Sequence, residues 1–135
     1  MNIDSIEKEL NKLINKAIKH DEVPVAALII KDNKIISKSY NKVNKTNNIL
    51  DHAEIISIIK AQKKLNNWRL NNCDLYVTLE PCSMCKEIIK KSRINNVYYF
   101  IKQNNNRTEL DVNYKYLFKN DNFSNKLTNF FKNKR

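Results

Sequence analysis

Residues 75–85 read LYVTLEPCSMC, in which a short apolar strand leads through a proline into the start of a helix. Pro81 suits such a start because it has no backbone N–H to leave unsatisfied there. The helix is predicted to continue over residues 84–92. The cysteines of this stretch, Cys82 and Cys85, therefore lie where a strand feeds the N-terminus of a helix.

The rest of the chain alternates between helical and strand patterns. Apolar residues spaced three and four apart from Ile3 to Ala17 predict an amphipathic first helix, with Asp4 and Glu7 as its capping box. The later elements are predicted as a hairpin of strands 25–30 and 35–40, a loop over 41–51, a helix over 52–65, strands over 97–101 and 112–118, and a closing helix containing Phe123, Leu127, Phe130 and Phe131. This alternation predicts one α/β layered domain over residues 1–135, built around a central sheet.

The composition narrows the class of protein. A chain of 135 residues predicts one domain, and no apolar run reaches the ~20 residues that a membrane-spanning helix needs. The charged start of the chain lacks the apolar core of a signal peptide, and an odd number of cysteines, three, argues against a closed disulfide framework. We therefore expect a protein of the reducing cytoplasm without a membrane partner.

The net charge of +11 comes from 25 lysines and arginines against 14 acidic residues. Composition alone leaves two interpretations open, a solvated lysine surface or a polyanionic partner such as RNA. The absence of glycine, beside the excess of lysine and asparagine, indicates a coding sequence under A+T pressure. Turns with positive φ must then use Asn or Asp, and the Asn pairs at 47–48, 66–67, 71–72 and 95–96 fit that role.

The residues that carry chemistry are His52, Glu54, Cys82 and Cys85. The i, i+3 spacing places both sulfurs on one helix face, and the partial positive charge of a helix N-terminus favours the thiolates that zinc requires. With His52 they make three protein ligands, which leaves the fourth tetrahedral position open, as in catalytic zinc sites. Glu54, two residues from His52, can stay off the metal and move protons.

A structural zinc site or a redox pair is the alternative interpretation of the two cysteines at 82 and 85. No second CxxC completes a four-ligand structural site, and a redox pair leaves His52 and Glu54 unexplained. Away from this motif, Cys73 is predicted to be a small buried hydrophobic residue, and His20 is predicted to cap the first helix.

H-x-E followed by P-C-x-x-C is the signature of the zinc nucleobase deaminases, and within that superfamily the chain resembles the bacterial tRNA adenosine deaminases. The matching segments follow one another in the same order over most of the chain. They are Glu22-Val23-Pro24-Val25, Asn41, Asp51-His52-Ala53-Glu54, Trp68-Arg69-Leu70, the strand and cysteines of 75–85, Ser92-Arg93-Ile94 and Phe130-Phe131.

The resemblance implies a three-layer α/β/α cytidine-deaminase-like fold with a central mixed sheet of about five strands. It implies one zinc ion per subunit, held by His52, Cys82 and Cys85. The implied reaction is hydrolytic and converts the wobble adenosine of the tRNA anticodon to inosine. Glu54 is expected to take a proton from the zinc-activated water and to deliver protons to the base ring and to the departing ammonia.

The resemblance also implies how the substrate is held. Asn41 and the backbone N–H of Ala53 are expected to contact the target base, and Val23 to form part of the pocket wall. The family forms homodimers in which both protomers shape the surface for the anticodon stem-loop. We therefore expect tRNA and a second copy of the chain as partners.

The chain departs from the family pattern at a few positions. Asp51 and Ala26 replace a small residue and a glycine, Lys86-Glu87 replaces a small pair, and Gln103 stands where an acidic loop residue is characteristic. The segment 102–111 is also short. A parallel crossover needs about a dozen residues, so we expect either a single helical turn there or a fifth strand antiparallel to the fourth.

Two other functions fit parts of the same pattern. Relatives with this core act on free bases or nucleotides such as guanine or cytidine, and a non-catalytic RNA-binding partner subunit would keep the fold without the reaction. The matches at Trp68-Arg69-Leu70 and Ser92-Arg93-Ile94, with the basic C-terminus, favour tRNA over a free base. The presence of Glu54 argues against a non-catalytic subunit.

Overall fold

The computed structural model describes residues 1–103, 112–117 and 121–133. Helices and strands alternate along the chain, as the apolar patterns predict. The elements are α1 (Ile3–Lys19), β1 (Ala26–Lys31), β2 (Lys34–Tyr40), α2 (Val43–Thr46), α3 (Ala53–Leu65), β3 (Cys73–Leu79), α4 (Ser83–Lys91), β4 (Asn96–Ile101), β5 (Asn113–Tyr116) and α5 (Asn122–Asn133).

The strands form one mixed five-stranded sheet in the order β2-β1-β3-β4-β5. β1 is antiparallel to both β2 and β3, whereas β3, β4 and β5 run parallel. The expectation of an antiparallel fifth strand is therefore wrong. β5 begins at Asn113, one residue later than predicted, so the connection covers 102–112 and approaches the length that a parallel crossover needs. The alternative, a helical turn, falls mostly on 104–111, outside the described residues.

Helices cover both faces of the sheet, which confirms the predicted three-layer α/β/α fold. β1 shows why, because its consecutive residues point to opposite faces and are nearly all buried. Ala27 and Ile29 belong to the core that includes residues of α3 and α4. Leu28 and Ile30 belong to the core under α1, which also contains Phe123 of α5. No described helix has the length and hydrophobicity needed to cross a bilayer.

Left-handed backbone positions replace glycine at the turns. In the described ranges they are Asp21, Asp32, Asn33, Asn47, Asn66, Asn72 and Arg93, with φ between 50° and 69°. All but Arg93 are the Asn and Asp residues that the composition predicts, although the pair at 95–96 is not among them. Asp32 and Asn33 together form the two-residue connection of the β1–β2 hairpin, where a type I′ turn needs positive φ twice.

The ends of α1 differ in part from the prediction. Asn2, and not Asp4, is the N-cap, and its Oδ1 accepts a hydrogen bond from the Ser5 N–H at 2.9 Å. Asp4 lies in the first turn, where a carboxylate faces the positive end of the helix dipole. His20 caps the other end as predicted, with its Nδ1 2.8 Å from the Lys16 carbonyl oxygen. Cys73 is buried, as predicted.

Candidate metal centre and active-site cavity

Two helix N-termini position the predicted ligands. His52 is the N-cap of α3, Cys82 is the N-cap of α4, and both have extended backbone. The two cap side chains face each other across the ends of their helices. Cys85 follows one turn into α4, on the same side as Cys82. The first turns of two helices thus direct partial positive charge at this point.

The ligand atoms of His52, Cys82 and Cys85 lie within 4.8 Å of one another. The Nδ1 atom of His52 is 3.4 Å from the Sγ of Cys85 and 3.9 Å from that of Cys82. Ligands bound tetrahedrally to zinc at ~2.0–2.3 Å are roughly 3.3–3.8 Å apart. One nitrogen and two sulfurs at these separations fit a zinc ion with one position left open.

Hydrogen bonds within the cluster set the ionisation of its thiols. The Cys85 thiol and His52 both bond to the Cys82 sulfur and lower the pKa of the Cys82 thiol to about 3. A thiolate at Cys82 is the form that binds a metal. The bond to that thiolate, together with burial, raises the pKa of Cys85, which therefore acts as the hydrogen-bond donor of the pair. Metal binding would release this proton.

Glu54 lies beside the cluster without belonging to it. Its side chain occupies the first turn of α3 and is only 4% exposed. Burial raises the pKa of the Glu54 carboxyl above its usual range. A buried carboxyl next to an open ligand position is suited to carry protons between water and a substrate.

A cavity of about 140 Å³ opens in front of these residues. It brings together six of the seven residues predicted from the sequence, and the seventh, Cys85, lies behind them in the ligand cluster. The lining residues are Val23, Val25, Asn41, His52, Ala53, Glu54, Leu79, Glu80, Cys82 and Gln103. Val25, Leu79 and Glu80 are not among the site residues predicted from the sequence, although each lies within a segment that matches the family. The substrate-binding roles of Asn41, Val23 and Ala53 stay predictions.

Asn41 is held in one orientation at the cavity wall. Its side-chain oxygen accepts a hydrogen bond from the Val43 N–H at 3.0 Å, and its backbone N–H donates to the Val25 carbonyl at 3.0 Å. Because the oxygen is engaged, the side-chain NH₂ group is the part of Asn41 that can donate to a ligand. An amide donor fixed in this way favours a ligand with an acceptor on its edge.

Glu22 supports the same wall from behind. It is 1% exposed, and its carboxylate oxygens accept hydrogen bonds from the backbone N–H groups of Asn44 at 3.0 Å and Lys45 at 2.8 Å. These N–H groups lie in the first turn of α2, whose N-cap makes no side-chain bond. Glu22 therefore acts as the missing cap and holds the segment that carries Asn41.

A buried ion pair fixes Glu80, another residue of the cavity lining. Lys86 is 4% exposed, and its Nζ lies 3.2 Å from the Glu80 Oε2. The other oxygen of Glu80 accepts the Gln103 N–H at 3.0 Å, and the Gln103 side chain donates to the Glu80 carbonyl at 2.8 Å. Lys86 thereby joins α4 to the strand ends around the cavity.

We expect Lys86→Met to lower the free energy of unfolding by about 3 kcal/mol, because it leaves the Glu80 carboxylate buried without its cation. Removing the charge as well, in Lys86→Met/Glu80→Gln, is expected to recover most of this loss. Urea unfolding measures the free energy of unfolding of the single and the double variant. Lys91→Met is the matched control, because its ion pair with Glu87 is exposed and contributes less than about 1 kcal/mol. A double variant no more stable than Lys86→Met would contradict the expectation.

The two segments that favour tRNA in the sequence meet in space. The Leu70 N–H donates to the Ser92 carbonyl at 2.8 Å. The guanidinium carbons of Arg69 and Arg93 lie 4.4 Å and 5.7 Å from the centre of the Trp68 ring, which is 48% exposed. These matched residues therefore form one cationic and aromatic surface next to the start of β3.

The three-layer fold, the His-Cys-Cys cluster and the buried glutamate define the class of nucleobase deaminases with a cytidine-deaminase-like fold. The chain belongs to the MafB19-like deaminase family, which it matches over residues 1–135. Both the resemblance and the fold class predicted from the sequence are confirmed.

Curated relatives are tRNA-specific adenosine deaminases. That of Rickettsia bellii is 45% identical over 94 residues, which cover 68% of this chain and 65% of the relative. That of Buchnera aphidicola subsp. Schizaphis graminum is 36% identical over 133 residues, which cover 88% of this chain and 87% of the relative. The chain thus spans slightly less than two thirds of the Rickettsia protein and most of the Buchnera protein.

A solved structure from a study of A-to-I editing by tRNA:A34 deaminases at the wobble position of transfer RNA is also similar. It is 29% identical, with a TM-score of 0.76, over 86% of this chain and 100% of that one.

Proposed function

We propose that this chain is a zinc-dependent tRNA adenosine deaminase, which hydrolyses the wobble adenosine of the anticodon to inosine and releases ammonia. The observation that carries the proposal is the buried Glu54 carboxyl beside the His-Cys-Cys cluster, at the wall of a cavity that also contains Asn41. The similarity to tRNA-specific adenosine deaminases supports tRNA as the substrate.

The proposed metal is one zinc ion per subunit, held by His52, Cys82 and Cys85. When bound, zinc activates a water molecule and stabilises developing negative charge. Glu54 would accept one proton from the attacking water and pass it to the purine ring. As the C6 carbonyl forms, Glu54 would accept the remaining proton of the same oxygen and pass it to the amino group, which leaves as ammonia. Glu54 lies two residues after His52, in the first turn of α3, so its carboxyl lies close to the ligand cluster.

The cavity walls orient the base. Ala53 is the first residue of α3, so its N–H has no partner within the helix and can donate to an acceptor on the purine edge. The Asn41 NH₂ group supplies a second donor at the cavity wall. Val23 and the neighbouring Val25 give the cavity apolar surface for the base faces.

The proposal extends to assembly and location. We expect a homodimer, on the family resemblance, in which both protomers form the RNA surface. A tRNA substrate also implies action in the cytoplasm. Sedimentation equilibrium of the zinc-loaded protein measures the oligomeric state, and a monomer at micromolar concentration would contradict the expected homodimer.

The proposed activity is tested with an unmodified tRNA that carries adenosine at the wobble position. We expect inosine at this position after incubation with the zinc-loaded protein, measured by sequencing, and no change at adenosines elsewhere in the tRNA. Free guanine and cytidine are parallel substrates with ammonia release as the readout. Ammonia from either of them, without inosine in tRNA, would favour a free-base or nucleoside deaminase.

A further inference from the structure

A groove lined by lysines lies between α1, β2 and α3, away from the ligand cluster. It encloses about 510 Å³. Its basic side chains come from all three elements and from Lys42, which follows β2. We call it the lysine groove. Its residues are Leu13, Lys16, Lys19, His20, Lys38, Ser39, Tyr40, Lys42 and Lys60.

The charge of the lysine groove is only partly balanced. Glu9 lies 3.2 Å from the Nζ of Lys38 and offsets that lysine. Among the residues that the structure describes, the other four lysines of the groove have no carboxylate oxygen within ion-pair distance. An anion that enters the groove therefore meets four positive charges that the protein itself does not neutralise.

Contacts within the groove hold two of its lysines in place. The Lys60 ammonium donates to the Lys38 carbonyl at 3.2 Å, and the Lys42 ammonium lies 5.0 Å from the centre of the Tyr40 ring. Burial, and then the positive charge of Lys42, lower the pKa of Lys60. An anion between these two lysines would relieve their repulsion, which favours a ligand with negative charge at this point.

The groove also adjoins the active-site cavity along the backbone. Tyr40 and Lys42 line the groove, and Asn41 between them lines the cavity. Consecutive Cα atoms are about 3.8 Å apart, so backbone of the groove lining and backbone of the cavity lining lie within a few ångströms of each other. Residues 40–42 therefore contribute to both sites.

We propose that the lysine groove binds phosphate groups of the RNA backbone next to the nucleotide whose base enters the cavity. This rests on the proposed function, and it adds a site for a polyanion that the ligand cluster and the cavity do not supply. The groove residues contact phosphates and not base edges, so they contribute affinity without sequence selectivity.

The test compares variants that differ in where two charges are removed. Lys16→Gln/Lys60→Gln removes two groove lysines, and Lys8→Gln/Lys34→Gln removes two exposed lysines elsewhere. The probe is an anticodon stem-loop RNA with a wobble adenosine, whose binding is followed by fluorescence anisotropy from about 50 to 300 mM salt. Thermal unfolding checks that every variant folds.

The groove variant is expected to lower the log–log slope of affinity against salt by about 1.4, because each contact with a single-stranded phosphate contributes about 0.7. The control pair is expected to leave the slope near that of the parent, and Lys16→Arg/Lys60→Arg to restore it. Equal slopes for the groove and control variants would overturn the proposal. So would a parent that does not bind the RNA.

Two further arms separate this proposal from others. If AMP at millimolar concentration binds the parent but not the groove variant, while both bind the RNA equally, the groove holds the phosphate of a mononucleotide, and the proposal is overturned. If RNA binding depends on the groove while the parent forms no inosine, the groove assignment stands and the proposed function fails. The two failures are therefore distinguishable.

Discussion

Glu54→Gln is expected to lower the rate of inosine formation at least ~10²-fold, the usual scale of general acid–base catalysis. Glutamine keeps the shape of the buried side chain but cannot accept and return a proton. Because Glu54 is not a member of the ligand cluster, zinc content and the unfolding midpoint are expected to stay at parental values. Single-turnover kinetics with saturating tRNA isolates the chemical step from binding.

Glu87→Gln is the matched control for this prediction. Glu87 lies on the exposed side of α4, where it pairs with Lys91 at 3.7 Å. Its substitution removes the same charge without touching the cavity, so a parental rate is expected. If Glu54→Gln also formed inosine at the parental rate, the proton-carrying role of Glu54 would be wrong. A loss of zinc from Glu54→Gln would instead indicate that Glu54 is a ligand.

Cys85→Ser is expected to lower zinc content well below one ion per chain and to remove nearly all activity. Serine stays protonated at neutral pH and is a poor substitute for a thiolate, so the cluster would lose one of its three donors. Elemental analysis after dialysis gives the metal content independently of activity. Treatment of the parent with a chelator is expected to produce the same loss, reversed by added zinc.

Cys73→Ser provides the control for this experiment. Cys73 is also buried, but it lies at the start of β3, outside the ligand cluster. This variant is expected to retain full zinc. Full zinc in Cys85→Ser as well would exclude Cys85 as a ligand and would contradict the three-ligand site.

The parts of the fold that the sequence predicts are those with local signals. The β1–β2 hairpin is encoded by two apolar runs around Asp32-Asn33, and the structure forms it with one register irregularity. His52 and Cys82 are recognisable because each precedes a helical pattern, and both are N-caps in the structure. Placing them together required the known deaminase signature, since the 29 residues between them in the sequence carry no information about their distance in space.

The features that escaped prediction depend on contacts between distant residues. The direction of β5 follows from its pairing with β4, where Asn113 lies opposite Asn96, and not from its own sequence. Lys86 reads as a surface lysine in an amphipathic pattern, and only the fold brings Glu80 to its ammonium group. The lysine groove likewise combines charges from three elements, none of which is unusual alone.

The left-handed turn residues bear on how such a sequence can evolve. A side chain at positive φ costs roughly 1–2 kcal/mol, least for Asn and Asp, yet a chain without glycine also loses less backbone entropy on folding. The steric cost and the gain in backbone entropy offset each other, so replacing glycine by asparagine changes the free energy of folding little at turns such as Asn47 and Asn66. A lineage under mutational drift toward A+T can therefore lose its glycine codons one at a time, with each step close to neutral for the folded state.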